Sequence, residues 1–163
     1  MSGSMYKRRN MYKIFKNKIV VLDIDGTLTE FRHHDKRLLP VADADFDDYC
    51  ADNDAYHNVR PLKTLQRIVK KLRSDDLYIL STSPKLPRQE QKIKWLQKHY
   101  PNIKRQNIYF VKEDKAKYEV LATLKNKYPD RTICFIDDTT KTLLHVEELD
   151  EEFELYHITS FIR

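Results

Sequence analysis

Hydrophobic residues along the chain form short runs that alternate with longer mixed stretches of helical period. Ile19 to Asp23 is a β-branched apolar run ending in acid, the pattern of a buried strand. Pro61 to Arg73 sets Leu62, Leu65, Val69 and Leu72 at helical spacing, with Pro61 suited to a first helical turn. Leu77 to Thr82 predicts the next strand. Arg88 to Tyr100 then carries Ile93, Leu96 and Tyr100 on one helical face and stops at Pro101. Ile108 to Val111 predicts a strand, and Tyr118, Leu121 and Leu124 mark a helix that ends before Pro129. Ile133 to Asp137 is a further strand, Lys141 to Leu149 a helix, and Leu155 to Ser160 a last strand. Strands separated by helices of this length imply crossover connections. The predicted fold is α/β and Rossmann-like, a parallel sheet with helices on both faces.

One stretch breaks the alternation. Glu30 to Asn58 is too long for a simple connection and too polar for a core element, with acids at Asp43, Asp45, Asp47, Asp48, Asp52 and Asp54. It predicts a small flap or lid inserted at about 30–58, after the first strand. Met1 to Asn10 reads as an N-terminal extension, which leaves 11–163 as a single domain, in keeping with a length of 163 residues.

Composition narrows the class. Apolar and charged fractions of 40% and 34% describe a globular chain, and no apolar run approaches the ~20 residues of a membrane span. The basic N-terminus is not followed by an apolar segment of secretory type, so cytoplasm is the expected location. Cys50 and Cys134 lack metal-ligand spacing and are expected to be free and apolar in role. His33-His34, the closest-spaced histidines, read as solvated lid residues. The net charge of +5 is localised. Residues 1–18 hold six of the 30 basic residues and no acid, leaving 24 basic against 25 acidic in the remainder. Basic residues gather between Arg60 and Lys127, an asymmetry that suits an anionic ligand.

In parallel α/β sheets ligands sit outside the carboxyl ends of the strands. Three predicted strands end in chemically capable groups: Asp23, Ser81-Thr82-Ser83 and Asp137-Asp138. Asp23-Ile24-Asp25-Gly26-Thr27 is the strongest signal. In extended chain, alternate residues share a side, so Asp23 and Asp25 approach one centre. Two carboxylates that close need a cation between them or a proton on one. Magnesium suits the first solution and proton transfer to a leaving alkoxide the second. Gly26, the one glycine outside the N-terminal extension, allows positive φ or close backbone approach to a ligand.

Asp-x-Asp-Gly-Thr after an apolar strand resembles the first motif of the haloacid dehalogenase superfamily of phosphotransferases, and the later motifs follow in order over nearly the whole chain. The resemblance implies that Asp23 is a nucleophile and Asp25 a general acid and base. Aspartate at the second position is similar to the family's phosphatases, whereas its ion-pumping ATPases carry threonine there. A hydroxyl that binds phosphate is expected at Thr82, with Ser81 and Ser83 as neighbouring candidates. The third motif is a lysine. Lys117, four residues before Leu121, has the family spacing, and Lys115 and Lys112 are alternatives. Asp137, with Asp138 in support, matches the acidic pair of the fourth motif. The implied magnesium site comprises Asp23, the backbone carbonyl of Asp25, and Asp137 with Asp138. Gly26, Thr82, Ser83 and Lys117 or Lys115 would hold the substrate phosphate.

The expected activity is hydrolysis of a small phosphate ester or nucleotide through an aspartyl-phosphate on Asp23, with no membrane partner. Phe46-Asp47-Asp48-Tyr49 and Asn58-Val59-Arg60-Pro61 faintly resemble the phosphatase domain of polynucleotide kinase-phosphatases. A nucleic acid 3′ end is therefore an alternative substrate, with the basic stretch Lys85 to Arg105, Trp95 and Tyr100 as its contacts. The acidic lid and the usual core placement of such aromatics favour the small ester. Transfer to an acceptor other than water, and an interaction domain that keeps the fold without turnover, are the remaining alternatives.

Overall fold

The computed structural model of the protein describes residues 11–30 and 50–162. The N-terminal extension 1–10 and most of the lid, including Asp43, Asp45, Asp47, Asp48 and His33-His34, lie outside the described residues. Five parallel strands make the central sheet: β1 (Ile19–Leu22), β4 (Leu77–Thr82), β5 (Ile108–Val111), β6 (Ile133–Asp137) and β7 (Glu154–His157), in the order β5-β4-β1-β6-β7. A separate antiparallel pair joins β2 (Thr29–Glu30) to β3 (Arg60–Pro61). Four helices connect the sheet: α1 (Lys63–Val69), α2 (Leu86–His99), α3 (Lys117–Lys127) and α4 (Thr140–Leu149).

The chain builds outward from β1 through β4 to β5, then returns across the sheet to lay β6 and β7 on the other side. That reversal sends the helices to opposite faces. Strand parity shows the result. Val20, Leu22, Ile79 and Ile136 pack with Leu65 and Val69 of α1 and Trp95 and Leu96 of α2. Ile19, Val21, Tyr78, Leu80 and Phe135 pack with Leu121 and Leu124 of α3 and Leu143 and Val146 of α4. The inner strands are apolar on both faces because both faces are covered. Cys50 and Cys134 are buried and free. No helix among the described residues is long and apolar enough to cross a membrane.

Several boundaries differ from the sequence reading, among them the end of α1 at Val69 and the start of α2 at Leu86. Pro61 does not open a helix; it sits in β3 opposite Thr29, and α1 begins at Lys63. Proline fits that pair because a two-stranded ribbon leaves one side of each strand unbonded. The last strand ends at His157, and 158–161 curl into a 3-10 turn. The chain also bends at Ile24 instead of running extended to Asp25: the Ile24 carbonyl accepts from the amides of Thr27, Leu28 and Thr29 and from the Thr29 hydroxyl.

The segment 50–59, the far end of the expected lid, is strapped to α2. Gln91 Nε2 donates to the carbonyls of Cys50 (2.5 Å) and Asn53 (2.8 Å), and its Oε1 accepts the Ala55 amide (3.0 Å). Buried Trp95 donates its indole N–H to the Val59 carbonyl at 2.9 Å. Replacing Trp95 with Phe keeps most of the apolar contact and strands a buried carbonyl, which costs about 1–3 kcal/mol. Urea unfolding of W95F measures the loss, and a midpoint equal to wild type would show that this bond does not hold the strap.

Candidate functional site

The reversal point of the sheet lies between β1 and β6, and the two strands end together there. The Asp23 amide donates to the Ile136 carbonyl at 3.0 Å, which locks the residue after β1 to the end of β6. Asp23 and Asp137 share the parity of Val21 and Phe135, so both turn toward the α3 face. Lys117, the first residue of α3, reaches between them: its Nζ is 3.1 Å from Asp23 Oδ1 and 2.8 Å from Asp137 Oδ2. All three side chains are buried. Lys115 and Lys112 are exposed, so Lys117 is the lysine that the fold brings to the acids.

Asp138 completes a cluster. One carboxylate oxygen from each of Asp23, Asp137 and Asp138 lies within 4.8 Å of the others, the one such group among the described residues. Burial pushes the Asp23 carboxyl up to about 7, with the negative charges of Asp137 and Asp25 adding to the push and Lys117 opposing it. Burial, then the charge of Asp137, lifts Asp138 to about 6. Burial works to deprotonate Lys117, but Asp23 and Asp137 outweigh it and hold the ammonium above its ordinary range. Asp23 and Asp137 thus share one lysine, with Asp138 beside them. An all-oxygen donor set with a deficit of positive charge fits a hard divalent cation such as magnesium.

Further bonds support this cluster. Asp137 Oδ1 accepts the Thr139 amide at 2.8 Å, in the turn just before α4 begins. His157 Nε2 donates to the Asp138 carbonyl at 2.8 Å, a contact from β7 that no spacing in the sequence announces. Gly26 has φ +74, and a Cβ there would lie 2.1 Å from Asp138 Oδ2. Its amide is spent on Thr29 Oγ1 at 2.9 Å, so the close approach that glycine permits is to the Asp138 carboxylate.

Asp25 stands apart from the three acids. Tyr56 Oη donates to its Oδ1 at 2.6 Å, while Lys92 Nζ and Arg88 Nη2 lie 2.6 Å and 3.3 Å from its Oδ2. Burial acts to raise the Asp25 carboxyl, but the charges of Lys92 and Arg88 and the bonds from Lys92 and Tyr56 hold it below the ordinary carboxylate range. Its side chain therefore belongs to a second group, and the bend at Ile24 is what separates it from Asp23. Sequence reasoning missed Lys92, Arg88 and Tyr56. Lys92 had a signal, since it stands three and four residues before the buried Trp95 and Leu96. Tyr56 sits in the acid-rich insertion, where nothing marks it.

At the end of β4 the hydroxyls divide. Thr82 Oγ1 donates to Asp114 Oδ1 at 2.5 Å, and Asp114 lies 3.7 Å from Lys117 Nζ. Ser81 Oγ accepts from Lys92 at 2.8 Å. Ser83 has its amide on the Val111 carbonyl and its own carbonyl on Gln89, yet its buried Oγ has no hydrogen-bond partner among the described residues. A buried hydroxyl left open at a strand end can bond a ligand that the other two, already engaged, cannot. Trp95 and Tyr100 are core residues, with Tyr100 donating to the Leu28 carbonyl at 3.0 Å.

No family model and no curated protein matches the chain.

Gly26→Ala tests the packing of the two motif loops. The left-handed backbone alone costs about 1–2 kcal/mol for a residue with a Cβ, and the contact with Asp138 adds to it. Chemical unfolding is expected to show a loss above 1 kcal/mol, with divalent-ion binding weakened in parallel.

Proposed function

We propose that the chain is a magnesium-dependent phosphomonoester hydrolase of haloacid dehalogenase type, working through an aspartyl-phosphate on Asp23. The observation that carries this reading is Lys117 Nζ bonded to both Asp23 and Asp137, three residues from three separate elements, beside the carboxylate of Asp138. The ordered motifs support it, since each lies at the carboxyl end of a strand or the start of the helix that follows.

In the reaction so read, a carboxylate oxygen of Asp23 attacks phosphorus, and the bond from phosphorus to the ester oxygen breaks. Lys117 neutralises charge on the nucleophile and on the phosphoryl oxygens, where fixed cations act most strongly in the transition state. Ser83, with its open hydroxyl, binds a phosphoryl oxygen. Asp25 gives a proton to the departing oxygen, then takes one from the water that attacks the phosphoaspartate. That second displacement releases phosphate and restores the Asp23 carboxylate. Asp23, Asp137 and Asp138, with the Asp25 carbonyl, would hold magnesium, which would supply positive charge for an anionic nucleophile to meet an anionic ester. In the substrate-free chain Lys92 and Arg88 keep Asp25 ionised; a phosphate dianion beside it works the other way, because like charge favours the neutral acid.

A small ester or nucleotide is the substrate class favoured. The 50–59 segment brings Tyr56 directly onto Asp25, on the side where the leaving group departs, and its Asp52 and Asp54 are exposed. Those charges oppose a long polyanion. The aromatic platform expected for a nucleic acid end is spent in the core, since Trp95 and Tyr100 are both buried. No feature favours the silent-scaffold reading over turnover.

Phosphate release from p-nitrophenyl phosphate is expected only with magnesium and is lost on chelation. Asp23→Asn lowers the rate by more than about 10³-fold, and Lys117→Met by about 10²–10³-fold. Both variants should keep the wild-type far-ultraviolet circular dichroism. Retention of a tenth of the rate in D23N would count against attack by that residue.

A further inference from the structure

Lys92 has no part in the reaction as set out above, yet it is fully buried, at 0% exposure, in the middle of α2. An ammonium taken wholly out of water is tolerated only where its N–H groups meet acceptors. Lys92 has three: Ser81 Oγ at 2.8 Å, the Thr82 carbonyl at 2.9 Å and Asp25 Oδ2 at 2.6 Å. It therefore ties the loop after β1 to the end of β4. Its neighbours on the same helix face, Arg88 at i−4 and Trp95 at i+3, reach Asp25 and Val59, and the adjoining Gln91 grips Cys50, Asn53 and Ala55. That grip and the Trp95 bond hold the 50–59 segment so that Tyr56 meets the other oxygen of Asp25. Both oxygens of one carboxylate are thus fixed by donors that a single helix face assembles.

We propose that Lys92 and Tyr56 are positioning residues that fix the Asp25 carboxylate for proton exchange with the leaving-group oxygen. The proposal rests on the phosphatase reading. A phenol with an acidic hydroxyl departs with little help from a proton, whereas an aliphatic alcohol needs one. Loss of orientation at Asp25 is therefore selective for the aliphatic ester, and a general loss of structure is not.

The experiment compares p-nitrophenyl phosphate with glycerol 3-phosphate in wild type, Asp25→Asn, Tyr56→Phe and Lys92→Met. Tyr56→Phe, which removes one oxygen, is expected to lower kcat/KM about tenfold or more on glycerol 3-phosphate and less than about threefold on p-nitrophenyl phosphate, in the direction of Asp25→Asn; kcat/KM reads formation of the phosphoaspartate and not the later attack of water, which is common to both esters. Equal losses on the two esters, or no loss, would overturn the proposal. Because Lys92→Met removes a buried charge and threatens folding, a second readout does not use turnover. The urea midpoint of the Asp25→Asn, Lys92→Met double variant is expected to be no lower than that of the worse single variant. A midpoint lowered by the sum of the two single losses would show that the groups are not coupled and would sink the clamp. If wild type releases phosphate from neither ester with magnesium, the phosphatase reading fails, and this unfolding cycle still decides whether Lys92 holds Asp25.

Discussion

Mutual repulsion among clustered carboxylates is the constraint on which the rest of this structure turns. Asp23, Asp137 and Asp138 each bring an oxygen into a space 4.8 Å across, and among the described residues the ammonium bonded to Asp23 and Asp137 is that of Lys117. Such an arrangement is unfavourable in isolation and is relieved by a cation or by a proton on one carboxyl. The sheet order makes the concentration possible. Because β1 and β6 are neighbours at the point where the chain reverses, their carboxyl ends project acids into one crevice. The amide of Asp23 bonded to Ile136 fixes their relative height.

Strand parity then sorts the charged groups into two sets. On the α3 side stand Asp23, Asp137 and Lys117; on the α2 side stand Asp25, Lys92 and Arg88. Had the chain stayed extended past Leu22, Asp25 would have faced the same way as Asp23 and joined the crowd. The bend at Ile24, closed by Thr29, prevents this, and the positive φ of Gly26 lets the turn pass within contact of Asp138. Two aspartates two residues apart thus see different counter-charges, and their ionisation is pushed in opposite directions. An acid that stays charged beside one that is lifted is a division of labour that a single environment cannot supply.

How far the sequence foretold this varies by element, for physical reasons. The inner strands β4 and β6, and the edge strand β5, have the bounds expected from their apolar runs, because parallel strands covered on their faces are apolar throughout and stop where they become polar. Lys117 was reachable because its spacing to Leu121 places it at the start of an amphipathic helix. Pro61 misled because proline suits a helix start and a ribbon edge equally well, and only the tertiary partner, Thr29, separates the two. Lys92 escaped because a hydrophobic period counts every lysine as solvent-facing; its burial depends on acceptors from the loop after β1 and from β4 that lie far away in sequence. Which of three adjacent hydroxyls stays open is a matter of side-chain geometry that residue type does not decide.

The buried lysine also bears on why the second aspartate is held by so many donors. In the proposed reaction Asp25 exchanges a proton twice and gains from a position that does not change between the two events, because the partner differs each time: an ester oxygen first accepts the proton, and a water then gives one up. A flexible carboxylate would have to be re-ordered at each step, at an entropic cost met within the barrier. Tyr56 and Lys92 hold separate oxygens, so neither rotation of the carboxylate about its own axis nor swinging of the side chain is free. The same donors stabilise the anion, which opposes protonation. Orientation and basicity therefore trade against each other at Asp25, and in the proposed reaction a phosphate dianion beside it would shift that balance toward the acid.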